Sequence, residues 1–407
     1  MSKTRNWHHF LALDGLRGAA IFSVLCFHFF VDDGYTASGV VKFLLPLAKM
    51  GWMGVEVFFV LSGFLITGIL IRARPATNYY RVFYIRRVLR IFPVYYLAVA
   101  FIFCVAVPLG RHVEFFRLHP VGSFSPYAPL WYWVNLSNLH TAFYPLLIPM
   151  LSPFWSLAIE EQFYLVWPAV VRNLRQQSLM ALCLMGMISS AVLRNLPWVQ
   201  HWNEIYSNLI YRFTPLHMDG LLFGAILAMM LPRYGDRENL RKTFIVLFWA
   251  TAAGVAFLAR TPGPGSPAMT RIGYSVLVLF AGSLLWLSVA SSGSTLARRI
   301  FSGRLVVQLG KYSYFIYVFH LPFFYYVRIL GNHFIPEHGM AHPYRTRIMM
   351  GCITFALTYL AAAISSRIFE GPILNKKRYF EYRYPQSDAT ESATAVPQIT
   401  VSQLSIP

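Results

Sequence analysis

The stretch LRGAAIFSVLCFH, residues 16–28, is an apolar run with Arg17 near its start and His28 at its end. It lies within residues 11–30, which is about the length of a helix that crosses a bilayer core. His28 follows Arg17 by eleven positions, so both side chains project from one helical face, roughly 16 Å apart along the axis. Polar residues inside an apolar span indicate a functional site, because they are costly in lipid. For Arg17, an ion pair with Asp14 at i,i+3 is an equally good structural explanation.

The composition of the chain is that of a polytopic membrane protein. Of its 407 residues, 57% are hydrophobic and only 13% are charged, which is unusual for a soluble domain of this size. Ten segments are long and apolar enough to span a bilayer, so we predict an all-α bundle of about ten transmembrane helices. They are residues 11–30, 51–70, 91–109, 154–171, 178–194, 213–231, 243–259, 272–290, 305–330 and 348–369.

One aromatic and Pro-rich stretch, residues 127–150, is not counted among the spans. Asn135, Asn138 and His140 interrupt it, so we predict a re-entrant or interfacial segment. With the N-terminus in the cytoplasm, ten spans place the clusters of Lys and Arg inside, whereas an eleventh crossing would export the last three clusters. The clusters lie within residues 72–90, 172–175, 233–242, 298–304 and 376–378.

This topology predicts a multi-pass protein of the cell inner (plasma) membrane with both termini in the cytoplasm. The net charge of +19 is explained by basic loops that face anionic lipid, and it does not require nucleic-acid binding. We expect a membrane domain over residues 1–370 and a cytoplasmic tail over residues 371–407. The tail is basic at first and then disordered, because residues 384–407 are mostly polar and small.

The fourth predicted span carries a row of polar residues. In FWSLAIEEQFYLVWP, residues 154–168, Ser156, Glu160 and Tyr164 recur every fourth position and share one helical face. Glu160 is expected at a depth similar to that of His28, in the outer half of the membrane. A buried carboxyl group at this depth is a candidate site residue.

Further candidates lie in two other spans. Tyr314 and His320 belong to GKYSYFIYVFHLPF, residues 310–323, and Glu56 belongs to GVEVFFVLSGFLIT, residues 54–67. The outer half of the membrane is the expected depth of His320 and Glu56. A hydrogen bond that holds helices together explains His320 and Glu56 as well as direct chemistry does.

Three arginines precede the third predicted span, in FYIRRVLRIFP, residues 83–93. The positive-inside rule explains Arg86, Arg87 and Arg90 adequately. Arg87 and Arg90, however, are three positions apart on one helical face, which suits clamping of phosphate oxygens by two guanidinium groups. A cytoplasmic anion site and the outer histidine, His28, would then be the two ends of one pore.

Taken together and in this order, LDGLRG followed by His28, GVEVFFVLSGFLIT, RRVLRIFP, FWSLAIEEQFYLVWP and KYSYFIYVFHLPF resemble the acyltransferase 3 family of integral membrane acyltransferases. The resemblance covers about residues 10–370. It implies transfer of an acyl group, usually acetyl, from cytoplasmic acyl coenzyme A to a hydroxyl group. The acceptor is commonly a cell-surface carbohydrate or glycolipid, and in some members a small molecule such as a macrolide.

The resemblance also assigns residues. The family's arginine and histidine match Arg17 and His28, its paired arginines match Arg87 and Arg90, and its membrane glutamate matches Glu160. Some members carry a fused periplasmic hydrolase-like domain. Only a short tail follows the last span here, so we expect the stand-alone form.

These assignments give a mechanistic hypothesis. Arg87 and Arg90, with Arg17, hold the anionic end of the donor, and its thioester extends towards His28. His28 takes the proton of the acceptor hydroxyl as a general base, and Glu160 orients the imidazole and stabilises its cation. In an alternative version, His28 itself accepts the acyl group and passes it on.

Three more residues are expected to line the path of the acceptor: Tyr314, His320 and Glu56. No cluster of metal ligands with recognisable spacing is present, so no metal is predicted. A proton-coupled transporter is the rival class, because intramembrane His, Glu and Arg also build proton relays. The sequence shows no pair of Gly- or Pro-broken segments in two related halves, and this disfavours the transporter.

Overall fold

A computed structural model of the protein describes residues 5–31, 40–112, 127–144, 148–206, 208–235, 237–260, 263–289, 295–334 and 343–385. Within these ranges the chain forms helices and no strand. The helices are α1 (Arg5–Phe30), α2 (Val40–Lys49), α3 (Gly54–Ala73), α4 (Tyr79–Phe101), α5 (Val107–His112), α6 (Ala128–Trp133), α7 (Ser137–Phe143), α8 (Phe154–Asn173), α9 (Gln176–Asn195), α10 (Pro197–Tyr206), α11 (Leu209–Arg212), α12 (Thr214–His217), α13 (Asp219–Tyr234), α14 (Glu238–Leu258), α15 (Tyr274–Val289), α16 (Leu296–Phe301), α17 (Arg304–Lys311), α18 (Ser313–Phe334), α19 (Pro343–Ser365) and α20 (Gly371–Asn375).

The prediction of an all-α polytopic membrane protein is confirmed. In the part of the chain that the structure describes, seven helical stretches are long and apolar enough to cross a membrane: Leu11–Phe30, Gly51–Ala73, Tyr79–Leu109, Gln176–Asn195, Glu238–Leu258, Met269–Val289 and Arg345–Tyr379. The other three predicted spans coincide with α8, with α12 and α13, and with α17 and α18. The count of ten spans stays a prediction. Most of the predicted disordered tail, from residue 386 onward, lies outside the described residues.

The third predicted span begins earlier than the sequence suggests. We expected it over residues 91–109, but α4 begins at Tyr79 and continues through a π-turn, Ile102–Ala106, into α5. The arginine motif therefore lies inside the helix and not before it. Val82 and Phe83, both 2% exposed, give this arginine-rich part an apolar face that packs inward. The long apolar stems of the arginine side chains suit packing against apolar surface on the other faces of this part of the helix.

Helix α1 makes an unusually close contact with α16 and α17. A Cβ atom at Gly15 would overlap the carbonyl oxygen of Phe301, and one at Gly18 would overlap the carbonyl oxygen of Val306. Only glycine permits such an approach between two backbones. The glycines of LDGLRG are thus packing residues, and they fix the position of the arginine between them.

The aromatic segment over residues 127–144 is a hairpin of two short helices. Helices α6 and α7 have six and seven residues, so each is too short to cross a bilayer core. The turn between them includes Asn135 in the left-handed region, with φ of 56°. Side chains of neighbouring helices form hydrogen bonds with polar groups of the hairpin. The Tyr95 hydroxyl donates to the Tyr132 carbonyl at 2.8 Å, and the Gln162 amide donates to Asn138 Oδ1 at 2.7 Å. Irregular backbone at membrane depth requires such partners.

Three of the predicted basic clusters meet at one end of the bundle. Arg74, at the end of α3, donates to the carbonyl of Leu174 after α8 at 3.0 Å. Arg86 of α4 donates from Nε to the carbonyl of Phe380 at 2.6 Å. The arginine at the end of α8, Arg172, lies over the ring of Tyr79. The clusters near residues 74–90, 172–175 and 376–378 therefore share one face of the molecule, as the charge pattern requires.

Candidate active site

Two histidines from opposite ends of the chain form a contact between α1 and α18. His28 Nδ1 lies 3.1 Å from His320 Nε2, and the ring centroids are 4.9 Å apart. His320 is fully buried and His28 is half-buried. The sequence predicted both residues as candidates at one depth, and the structure brings them into direct contact.

Main-chain carbonyls determine which nitrogen of each ring carries a proton. His320 Nδ1 faces the carbonyl of Tyr317 at 2.8 Å, and His28 Nδ1 faces the carbonyl of Val24 at 3.1 Å. A carbonyl only accepts, so each Nδ1 is the donor in the neutral ring. The one proton on His28 Nδ1 is then shared between two acceptors, the Val24 carbonyl and His320 Nε2. This leaves the lone pair of His28 on Nε2, the nitrogen that a general base needs.

The histidine pair continues into a polar face of α8. The hydroxyls of Tyr317 and Ser156 are 2.6 Å apart, and the Tyr317 ring lies 6.0 Å from that of His320. One helical turn further along α8 is Glu160, and Tyr164 follows a turn later. The prediction that these α8 residues share a face is confirmed by the hydrogen bond of 3.1 Å from the Tyr164 hydroxyl to Glu160 Oε2.

Glu160 has partners other than the imidazole. Its Oε1 accepts from the Ser62 hydroxyl at 2.8 Å and its Oε2 accepts from Tyr164. In the described parts of the chain, no hydrogen bond joins Glu160 to His28. The expected role of Glu160 as the group that orients the imidazole is therefore not seen, because His320 occupies that position.

The far end of the α8 face meets the arginines of α4. The Arg87 guanidinium lies 5.5 Å from the centre of the Tyr164 ring. Arg17 donates to Asp14 Oδ1 at 3.0 Å, as the structural explanation of Arg17 required. Arg17 also remains within electrostatic range of both Arg87 and Arg90. Neither Arg87 nor Arg90 has an ion-pair partner among the described residues.

The two other predicted substrate-binding residues use their polar atoms in helix contacts. The Tyr314 hydroxyl donates to the carbonyl of Ile91 in α4 at 2.9 Å. Glu56 Oε1 lies 2.6 Å from His217 Nε2, and both side chains are buried, at 1% and 0% exposure. Glu56 therefore forms a hydrogen bond that holds helices together, which was one of the two explanations considered for it.

Sequence reasoning missed a buried polar cluster around this pair. His217 lies in the break between α12 and α13, and two positions later Asp219 accepts from Arg194 at 2.8 Å with both groups almost completely buried. The available signal was the stretch HMDG inside a predicted span. Where the structure describes the chain, no group of three or more His, Cys, Asp or Glu is arranged to hold a metal ion.

Among the described residues, the site thus combines a pair of imidazoles, the half-buried carboxyl group of Glu160 and two arginines without an ion-pair partner. The chain belongs to the acyltransferase 3 family, whose model is described as an acyltransferase domain and matches residues 10–367. The resemblance found in the sequence motifs is confirmed.

Several relatives are O-acetyltransferases. The O-acetyltransferase OatA of Staphylococcus aureus is 28% identical over 385 residues, covering 89% of this chain and 57% of the relative. The peptidoglycan O-acetyltransferase OatA of Listeria monocytogenes is 27% identical over 385 residues, covering 91% and 56%. The putative peptidoglycan O-acetyltransferase YrhL of Bacillus subtilis is 28% identical, with the same coverage. The chain therefore spans little more than half the length of these relatives. No solved structure matches it.

Proposed function

We propose that the protein transfers an acetyl group from acyl coenzyme A to a hydroxyl group of a cell-surface carbohydrate of the peptidoglycan type. Membership of the acyltransferase family supports the reaction class. The names of the Listeria and Bacillus relatives support the acceptor class. The unpaired arginines support an anionic donor such as acyl coenzyme A, because coenzyme A carries phosphate groups and guanidinium groups bind phosphate well.

The observation that carries this proposal is the continuous polar face of α8. It begins at Ser156 beside the histidine pair and ends at Tyr164 beside Arg87. These ends are eight residues apart, or about 12 Å along a helix. A donor whose phosphates lie at the arginines can therefore reach the histidines with a pantetheine arm, which is longer than this distance.

The chemical step uses the lone pair on His28 Nε2. The acceptor hydroxyl oxygen attacks the thioester carbonyl while His28 Nε2 takes its proton. The tetrahedral intermediate then expels the thiolate of coenzyme A, which recovers the proton. The new bond is an ester, and the products are the O-acetylated acceptor and free coenzyme A. His320 keeps the His28 ring in the required tautomer throughout, as the third group of a catalytic triad does.

Glu160 has a positioning role in this scheme. Its carboxylate accepts from Ser62 and Tyr164, so it ties α3 to the middle of the α8 face. It also interacts electrostatically with Arg87 and Arg17. Its charge balances the arginines at the donor end and keeps the path polar between its two ends.

We place the arginine end of the bundle in the cytoplasm, where acyl coenzyme A is made, and the histidine end in the outer half of the plasma membrane. Basic residues collect at the arginine end, as the positive-inside rule requires of a cytoplasmic face. The acetyl group then moves outward along the protein while coenzyme A stays inside.

Membranes that contain the wild-type chain test the proposal. They should release coenzyme A from labelled acetyl coenzyme A and transfer the label to added peptidoglycan fragments. Base treatment hydrolyses an ester. If base removes the label from the fragments, the proposal is supported. Coenzyme A release without labelled glycan would disprove the carbohydrate acceptor, and no consumption of the donor would disprove the donor.

A further inference from the structure

The segment after α19 folds back onto the beginning of α4. It comprises α20, a 3-10 turn over Lys376–Tyr379 and an extended stretch to residue 385, and we call it the C-terminal strap. Asn78 holds the strap from two sides: its amide donates to the carbonyl of Glu381 at 2.8 Å, and its Oδ1 accepts from the backbone N–H of Arg383 at 2.9 Å. Thr77 donates from its backbone N–H to the carbonyl of Arg383 at 2.9 Å.

A second attachment lies two turns further along α4. Arg86 donates to the carbonyl of Phe380, and its guanidinium lies 5.9 Å from the centre of the Tyr382 ring. Arg86 is therefore used to hold the strap. Its neighbours on the helix, Arg87 and Arg90, are not used in this way.

These attachments bring a lysine of the strap to the two arginines. The Arg86 guanidinium donates from Nη2 to the carbonyl of Lys377 at 3.5 Å, which places this lysine beside α4. Lys377 is within electrostatic range of Arg86, Arg87 and Arg90. It is half-buried, whereas the adjacent Lys376 is exposed. Over the described ranges, none of Lys377, Arg87 and Arg90 has an ion pair with a carboxylate. Three carboxyl groups lie within electrostatic range of these cations without forming an ion pair: Glu160 and Glu161 near Arg87, and Glu370 near Arg90.

Lys377, Arg87 and Arg90 repel one another, and an anion bound between them relieves this repulsion. Snorkelling to lipid headgroups explains exposed cations such as Lys376. It explains Lys377 less well, because Lys377 is half-buried and its carbonyl is bound by Arg86 of α4.

We propose that the C-terminal strap supplies Lys377 as the third cation of the phosphate site formed with Arg87 and Arg90. The ligand is the phosphate-bearing nucleotide end of the donor, so the inference rests on the proposed function. Asn78 is a positioning residue, because it holds the strap in place without touching the phosphate.

The Michaelis constant for acetyl coenzyme A tests this site. Lys377→Ala should raise KM roughly tenfold, since a hydrogen bond to a charged group contributes about 1.5 kcal/mol or more. The value of kcat should change little, because the lysine lies far from the histidines. Lys377→Arg should recover most of the affinity, and Lys376→Ala, the exposed neighbour, should match the wild type.

The strap itself is tested with Asn78→Ala, which keeps all three cations. This variant should also raise KM, and the double variant with Lys377→Ala should lose less than the sum of the two single losses, because both act on one site. Additive losses would mean that the strap does not position Lys377.

Direct binding separates this inference from the proposed function. Purified full-length protein is titrated with coenzyme A, which cannot react, and with vesicles that contain anionic lipid. Weaker coenzyme A binding by Lys377→Ala supports the site. If the wild type binds coenzyme A and Lys377→Ala binds it equally well, or loses only vesicle binding, the inference is wrong and the proposed function stands. If the wild type does not bind coenzyme A, both are wrong.

Discussion

His28 Nδ1 lies 3.1 Å from Nε2 of His320, so a second imidazole, and not a carboxylate, orients the candidate catalytic base. A neutral imidazole accepts one proton and brings no charge into the membrane. A carboxylate in the same place would have to be desolvated there, which costs several kcal/mol. The carboxyl group of the site, Glu160, lies further along the path, beside Tyr164 and Ser62.

The first prediction concerns the base. His28→Ala should lower kcat for acetyl transfer by at least about a hundredfold, because general base catalysis contributes roughly that much. Coenzyme A release by membranes with matched protein content measures it. The control is His201→Ala. It removes a histidine whose side chain is 67% exposed and lies beside Glu204, not beside any residue of the site. A fully active His28→Ala would contradict the assignment.

The second prediction concerns the residue that orients the base. His320→Gln keeps a second acceptor atom for the His28 Nδ1 proton, whereas His320→Leu leaves only the Val24 carbonyl. We expect His320→Leu to lower kcat about tenfold more than His320→Gln, because one hydrogen bond contributes about 1.4 kcal/mol. KM for the donor should be unchanged in both variants. Equal rates for the two variants would show that His320 does not act through this hydrogen bond.

The third prediction concerns the donor end. Arg87→Ala and Arg90→Ala should each raise KM for acetyl coenzyme A by about tenfold or more, since charge-assisted bonds to phosphate are lost. Arg81→Ala, an exposed residue in the first turn of the same helix, is the matched control. A rise in KM for the acceptor in place of the donor would reverse the assignment of the two ends.

The fourth prediction concerns the close contact of α1. Gly18→Ala places a methyl group against the backbone of α17 and should destabilise the protein by about 1–3 kcal/mol, as overpacking does. Gly68→Ala is the control, because the nearest atom to its Cβ is the flexible Arg72 side chain at 3.7 Å. Thermal unfolding in detergent measures both. A Gly18→Ala protein as stable as the control would show that the backbones separate easily.

The fifth prediction concerns Glu56 and His217. Removing one partner of a buried pair costs about 3–5 kcal/mol, because the other polar group is left uncompensated. Glu56→Ala, which removes the carboxyl group altogether, should therefore lower the unfolding temperature markedly while the folded fraction keeps its rate of acetyl transfer. If the folded fraction is inactive at normal stability, Glu56 takes part in the reaction.

Local patterns in the sequence predicted the helical parts of the site well. The shared face of Ser156, Glu160 and Tyr164 follows from the helical repeat alone, and the structure contains the hydrogen bond that this repeat implies. The Asn side chains that interrupt residues 127–150 also indicated a segment that is not one long helix, and the structure has two short helices over residues 127–144. In both cases the information lies within a few consecutive residues.

The pairings between distant helices were not predictable in this way. His28 and His320 are 292 positions apart, and Glu56 and His217 are 161 apart. No repeat or spacing links such residues, and their contact depends on how the helices pack. The early start of α4 was missed for a different reason. We placed its arginines before the span because they are charged, although their long stems and the buried Phe83 before them suit the same helix.

Arg17 and His28 lie on one uninterrupted helix, α1. The part of this helix that contains the glycines packs closely against α16 and α17. Alternating access requires two gates that move independently on either side of a bound solute. Here both ends of the path share a single rigid element, so their separation of about 16 Å is constant. On the proposed function, a donor arm of at least this length is needed to bring its reactive carbonyl to the imidazole while its phosphates stay at the arginines.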